Sequence, residues 1–300
     1  IWGNKNISIS NSGNIVAAAG GRDIVGIFAA NNGAVSTINS SGNIDLSSAT
    51  NSVGIAVSNG TLQVTGNILT GDNSVGIYAV GETTSVGQNS ALNTGNNSIN
   101  VLLSGDNQVL NSQTDKVIIG NNSFGYVAAG QNNNIVTGHA GNTGSVTLNT
   151  NSVFLYSSDK TGNIINYNHL KSAGNQNYGL ITAGKLINYG NIDFSSGYGN
   201  VGIYSIKGGN ANNTGNITVG KTLEISTPTV SDPTKTTTYY AIGMAAGYTP
   251  ESGTGYTGNI TNAGTINVNG DGGSIGMYGT ERGTRVINNG TINLRANNSV

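Results

Sequence analysis

The chain has 300 residues, a formal net charge of −1 and only 8% charged side chains, with 47 Gly, 3 Pro and no Cys. No basic run or stripe is present, so nucleic acid is not an expected partner; no apolar run approaches the ~20 residues of a membrane span, so no membrane contact is expected either. Disulfides and thiolate metal sites are ruled out, and the regular recurrence of Val and Ile separates the chain from disordered sequences of similar polarity.

Reading from the N-terminus, the first recurring phrase is "VGIFA" at 25–29. It returns as "NSVGIAVSN" at 51–59, "NSVGIYAVG" at 73–81, "NNSFGYVAA" at 121–129, "GNVGIYSIK" at 199–207 and "SIGMYGTE" at 274–281. Its central Gly falls at 26, 54, 76, 125, 179, 202, 243 and 276, with degenerate copies that place Asn100 and Phe154 there. The unit is about 25 residues, and two longer steps late in the chain mark insertions. A second phrase precedes the first in most units, for example "VTGNILT" at 64–70, "NYGNIDF" at 188–194 and "NNGTINL" at 288–294. It is a Gly turn followed by period-two alternation, which predicts a strand with one buried face. Some units carry a third short strand, such as "RVIN" at 285–288.

Two or three short strands per unit, joined by Asn/Gly corners, predict an all-β chain: a right-handed parallel β-helix of about ten coils. Residues 1–300 are expected to form one β-helical segment of a longer chain, since the pattern runs through both ends. Simple alternation makes the positions before and after the marker Gly, such as Val75 and Ile77, two inward columns. It turns Gly76 and Tyr78 outward, with rings such as Tyr78 and Tyr204 covering bare Gly of adjoining coils. Asn at the corners is expected to tolerate left-handed backbone and to form ladders with its copy one coil away. A leucine-rich repeat of this period is disfavoured, because Leu is sparse and no segment shows a helical period.

Residues able to support catalysis are scattered. Asp45 and Asp193 occupy equivalent places in "GNIDL" and "GNIDF", but six coils apart, or roughly 29 Å, too far for the ~5–9.5 Å of a glycosidase pair. His139 and His169 have no Ser/Asp partner in a nucleophile motif. "GDNSVG" at 71–76 and "GDGGSIG" at 270–276 do not repeat as calcium nonapeptides do. No cofactor or metal is expected, and the chain reads as a non-enzyme.

The insertions are the better candidates for recognition, because loops on a rigid scaffold usually carry it. The first, 220–241, holds two prolines, a Thr run and Tyr239–Tyr240; the second, 247–259, holds Tyr248, Tyr256 and the third proline. Both should leave the rod as loops or a small hairpin. Tyr239, Tyr240, Tyr248 and Tyr256 are the candidate ligand-binding residues, able to stack on sugar rings or anchor a protein. An irregular coil at 156–179, with Tyr167 and His169, is a further candidate, as is the outward aromatic column of Phe28, Tyr78, Tyr156, Tyr204 and Tyr278.

Coils of the "NNGTINL…NNSVGIYA" type, without Cys, poor in charge and rich in Asn and Gly, resemble the passenger domains of large autotransporter adhesins. These are type V secreted surface proteins of Gram-negative bacteria, and the likeness is greatest to the giant adhesins of fusobacteria. The resemblance implies a parent with an N-terminal signal, a long β-helix and a C-terminal outer-membrane β-barrel that anchors it at the bacterial cell surface. It implies attachment to host cells or other microbes through a surface glycan or protein. The repeated phrases are scaffold and carry no binding residues to transfer. The expected function is therefore a non-catalytic, monomeric adhesin segment. The alternatives are a polysaccharide-active β-helix (lyase or hydrolase) and a pure spacer with binding located elsewhere.

Overall fold

The computed structural model describes residues 1–4, 6–30, 35–82, 84–250 and 252–300. These form a parallel β-helix with no helical segment among the described residues. Each coil gives one strand to each of three parallel sheets, and every sheet has eleven strands. Face 1 holds the marker strands such as Val75–Val80. Face 2 holds short strands such as Ser85–Gln88, and face 3 holds the Gly-turn strands such as Leu92–Thr94. At a rise of ~4.8 Å, eleven coils make a rod about 50 Å long. The coil beyond the expected ten lies ahead of Gly26. There Trp2–Asn4, Ser8–Asn11 and Ile15–Val16 pair with the first marked coil without carrying the marker phrase.

Stacking is in register, so like sits over like. On face 1, Ile55, Ile77, Val101, Tyr126 and Leu155 follow one another in one column, all buried in the core. The residue after the marker is thus inward, as the alternation predicts. The residue before it is not: Val25 is 44% exposed and Val75 half-buried. The marker itself faces the core. Asn100 and Phe154, which stand in for Gly there, are both 0% exposed. Asn100 donates from Nδ2 to the carbonyls of Leu92 (2.9 Å) and Ile118 (3.3 Å), and Phe154 meets Tyr126 edge-on at 5.3 Å.

The cause is a bend. The face 1 ladder skips Gly76, so Gly76 and Ile77 both turn inward as the chain leaves the corner. A Cβ on Gly76 would lie 2.6 Å from the Asn100 carbonyl oxygen and 2.6 Å from Leu92 Cδ1. Core side chains of face 3 fill the space that Gly leaves. The expected cover of these glycines by the outer tyrosines therefore does not occur, because the rings lie on the opposite side of the sheet.

Asn precedes the marker for a backbone reason. Three residues upstream the chain needs positive φ, supplied by Asn51 (54°), Asn73 (55°), Asn97 (53°), Asn122 (53°) and Asn151 (56°). Among L-residues, Asn tolerates this region best. The next residue is a buried Ser or Asn whose side-chain oxygen accepts a backbone N–H from the coil before. Ser52 N donates to Ser74 Oγ, Ser74 N to Ser98 Oγ and Ser98 N to Ser123 Oγ, each at 3.0 Å.

A second buried ladder closes face 2 and matches the expected stacking of corner asparagines. Asn166 Nδ2 donates to Asn188 Oδ1 (2.7 Å), Asn188 to Asn213 (2.8 Å), Asn213 to Asn262 (2.9 Å) and Asn262 to Asn288 (2.9 Å). Each amide also donates back to its own turn, as Asn188 does to Gly190 O at 2.8 Å. The turn Gly beside this ladder has no room for a side chain: a Cβ on Gly264 would sit 2.1 Å from the Gly215 carbonyl oxygen.

Asn188→Ala removes both donated bonds and strands the buried amide of Asn166. We expect a loss of about 2–4 kcal/mol, read as a lower urea midpoint with unchanged m-value. Tyr126 gives a pH-dependent test. Burial raises its phenol from 10.0 to about 12, offset in part by its 2.8 Å hydrogen bond with Ser112. Below pH 10 the folded and unfolded chains both keep the proton; above it the unfolded chain loses it first. Stability should therefore fall as pH rises from 10 towards 12, with Tyr126 contributing about 3 kcal/mol of the loss. Tyr126→Phe should remove that share in urea titrations run across the window.

Candidate functional site

The first insertion is a hairpin, Leu223–Ser226 against Thr236–Tyr239, paired antiparallel. Its tip carries Val230, fully exposed. Tyr239 tilts against Tyr198 at 6.1 Å, and Tyr240 is exposed. The second insertion leaves the end of the face 1 strand Ile242–Ala246 and is pinched at its neck. Tyr248 and Tyr256 exchange two backbone hydrogen bonds of 2.8 Å each. The loop is also tied to the rod. Tyr204 Oη donates to Gly247 O (2.9 Å), Gly208 N to Thr257 O (2.7 Å), and the hydroxyls of Thr249 and Thr280 meet at 2.8 Å.

This loop overhangs the outer surface of face 1. Two outward columns run along that surface. One reads Tyr156, Ile181, Tyr204, Ala245, Tyr278; the other reads Val153, Tyr178, Val201, Ile242, Ile275. The small Ala245 between Tyr204 and Tyr278 leaves a notch of about 260 Å3, bounded by Tyr178, Tyr204, Tyr278 and Tyr248 and edged by Thr249 and Thr280. Next to it lies a cavity of about 300 Å3 lined by Tyr156, Tyr178, Ile181, Tyr204, Ile206, Lys207, Tyr248 and Tyr256. Tyr178, Tyr204 and Tyr248 border both, so the two form one aromatic cleft along the rod.

Within it Tyr178 and Tyr204 stack with centroids 6.3 Å apart, and Lys207 Nζ lies 6.0 Å from the Tyr256 ring centroid. Burial pushes the Tyr204 phenol up to about 12, with lesser contributions from the neighbouring phenols of Tyr178, Tyr248 and Tyr278. Burial also raises Tyr178. Both therefore enter the cleft as neutral hydroxyls near neutral pH.

The structure thus divides the four tyrosines of the insertions. Tyr248 and Tyr256 wall the cleft; Tyr239 and Tyr240 belong to the hairpin and line neither cavity. Tyr156, Tyr204 and Tyr278 of the outward column join the cleft. Tyr178 was legible only as a core position, since it precedes a marker Gly.

The other candidates have local roles. Asp45 Oδ1 accepts from Ser47 N (3.0 Å) and Ser47 Oγ (2.6 Å); these bonds, the hydroxyl first, hold its carboxyl below the usual range. Asp193 repeats the arrangement with Ser195, six coils along face 3. His169 uses both ring nitrogens on adjacent coils, Nε2 with Asn142 O and Nδ1 with Asn191 N, each 2.8 Å. The coil at 156–179 is regular rather than irregular: its strands Asn163–Asn166, His169–Ser172 and Tyr178–Thr182 keep register, and Tyr167 stacks on Tyr189 at 5.0 Å. No group of three His, Asp or Glu that could hold a metal occurs among the described residues.

A family model described as the BigA third pectate lyase-like domain matches residues 194–300, about a third of the chain. The matched stretch contains both insertions, Tyr204 and Tyr278, but not Tyr156 or Tyr178. No curated protein and no solved structure matches the chain.

Tyr204→Phe deletes the bond to Gly247 O while keeping the ring. Amide exchange at Tyr248 and Tyr256 should speed up about five- to tenfold, the equivalent of one net hydrogen bond of ~1 kcal/mol. Exchange in the strand Val201–Ser205 should not change.

Proposed function

We propose that this chain is a segment of a bacterial surface adhesin: a rigid, non-catalytic β-helical stalk that presents a side cleft for attachment to a host or microbial surface glycan or protein. One observation carries the reading. The rod is regular along three unbroken sheets, and its two protruding insertions arise in adjacent strands of one region, where one of them overhangs an aromatic cleft. Aromatic clefts with a few hydroxyls suit sugar rings and protein side chains alike. The match of residues 194–300 to a third pectate lyase-like domain supports a β-helix used as one module among several of a larger protein. A location at the cell surface, anchored through an outer-membrane β-barrel elsewhere in the parent, fits that picture. So does the absence of Cys from a chain that would cross a membrane unfolded.

The words "pectate lyase-like" also give a specific reason to test a polysaccharide-active reading. Such an enzyme needs clustered carboxylates, whereas Asp45 and Asp193 each cap a turn of their own.

Beads coated with the 300-residue chain should adhere to host or bacterial cells. Adhesion should fall at least tenfold when Tyr248 and Tyr256 are both replaced by Ala, and should survive deletion of the hairpin 223–239. Adhesion indifferent to both changes would favour a spacer. Release of unsaturated or reducing ends from polyuronates would favour an enzyme.

A further inference from the structure

We propose that the aromatic cleft binds a carboxylated sugar, with the pyranose face against the tyrosine rings and its carboxylate paired with Lys207. This rests on the adhesin reading above and names the chemical class of its ligand.

The starting observation is a backbone conformation. The corner that ends each face 1 strand repeatedly demands positive φ, five residues past the marker. It is filled by Asn59 (48°), Gly81 (103°), Gly105 (147°) and Gly130 (122°). These are the residue types that adopt this region most readily. In the coil just before the overhanging loop the same corner holds Lys207, at φ 52°, and two coils further on it holds Glu281, at φ 75°. A long side chain there is held against its preference, and such outliers cluster at sites where the side chain has a task.

The place of the ammonium supplies the task. Lys207 lines the cavity whose other walls are tyrosine rings, Ile181 and Ile206, and its Nζ stands 6.0 Å from the Tyr256 centroid. Lys207 is half-buried and makes no ion pair among the described residues; Glu251, in the second insertion, lies outside them. A cation at the edge of an apolar cavity selects an anion whose body is apolar on one face. A hexuronic or sialic acid ring has that form: C–H groups on one face, one carboxylate and several hydroxyls. The adjoining notch offers hydroxyl partners, with Thr249 and Thr280 at its edge.

An acidic peptide is the competing occupant. Peptides that bind sheets usually pair their backbone with an open edge. Here the floor strands Val201–Ser205 and Ile242–Ala246 are each paired on both sides within face 1, so a peptide would gain side-chain anchors only.

The test is calorimetric titration of the whole chain with α-linked trigalacturonate and with a sialylated trisaccharide, each beside its carboxyl-reduced form. We expect at least one acid form to bind ten or more times tighter than its reduced counterpart. Lys207→Asn, which suits the corner, should bring that ratio close to one while leaving the fold intact. Tyr256→Ala should weaken both forms. Acid and reduced sugars bound equally well by the wild type would overturn the role of Lys207 and leave glycan attachment standing. Binding of an acidic, aromatic peptide library with no sugar bound would overturn the ligand class. If no sugar binds while cell adhesion still depends on Tyr248 and Tyr256, the sugar assignment fails and the adhesin reading survives. If adhesion is absent as well, both fail.

Discussion

Each coil hydrogen-bonds to the next through three parallel ladders, so the neighbours of any residue are its own counterparts one turn above and below. Every position is therefore a column, and a column must be compatible with itself. Apolar residues meet this condition easily. Buried polar residues meet it only if they both donate and accept along the stack. Asn does so with one amide, which is why Asn166, Asn188, Asn213 and Asn262 can be buried in sequence without an unpaired group at either end of the amide. Ser does it with the help of the backbone, its hydroxyl oxygen taking an N–H from the previous coil. An ionised Asp could accept but not donate, and a column of such charges would repel itself. The scarcity of charge in the chain follows from the same condition.

The marker Gly follows from the way a coil turns. At Gly76 the chain brings two successive residues to the inside, and a face 3 side chain already occupies the space beside the first. Only where the neighbouring coils leave space does another residue stand there, and then it is either bonded inside the core, as Asn100 is, or packed on a ring, as Phe154 is. The chain thus accepts conformational entropy loss at Gly in return for a tight corner.

Much of the fold could be read from the sequence because columns repeat. The period, the three strand types, the late insertions and the asparagine ladder all appear as recurring phrases. The direction of the marker could not be read from alternation, because a bend breaks the period of two at that residue. Asn100 and Phe154 fill the same slot with a polar amide and a large ring, a pair that fits a surface as readily as a core, and only their complete burial shows which way the slot faces. The cleft was half legible. Tyr248 and Tyr256 stood out in an insertion, whereas Ala245 mattered only as a gap between Tyr204 and Tyr278, and that requires aligning coils across insertions of unequal length.

The asparagine ladder passes directly from Asn213 to Asn262, and the face 3 strand Asn216–Lys221 pairs directly with Thr265–Val268. The step from Asn213 to Asn262 is 49 residues, against 25 from Asn188 to Asn213, so about half of it, the two insertions, hangs beside a single inter-coil joint without replacing any of its bonds. Hydrogen bonds between coils run along the rod, so they carry a pull applied to its ends, while the insertions lie off that line of tension. Their length and chemistry can change without thinning the cable, and the loops that meet the outside world can diversify while the shaft that bears the load stays constant.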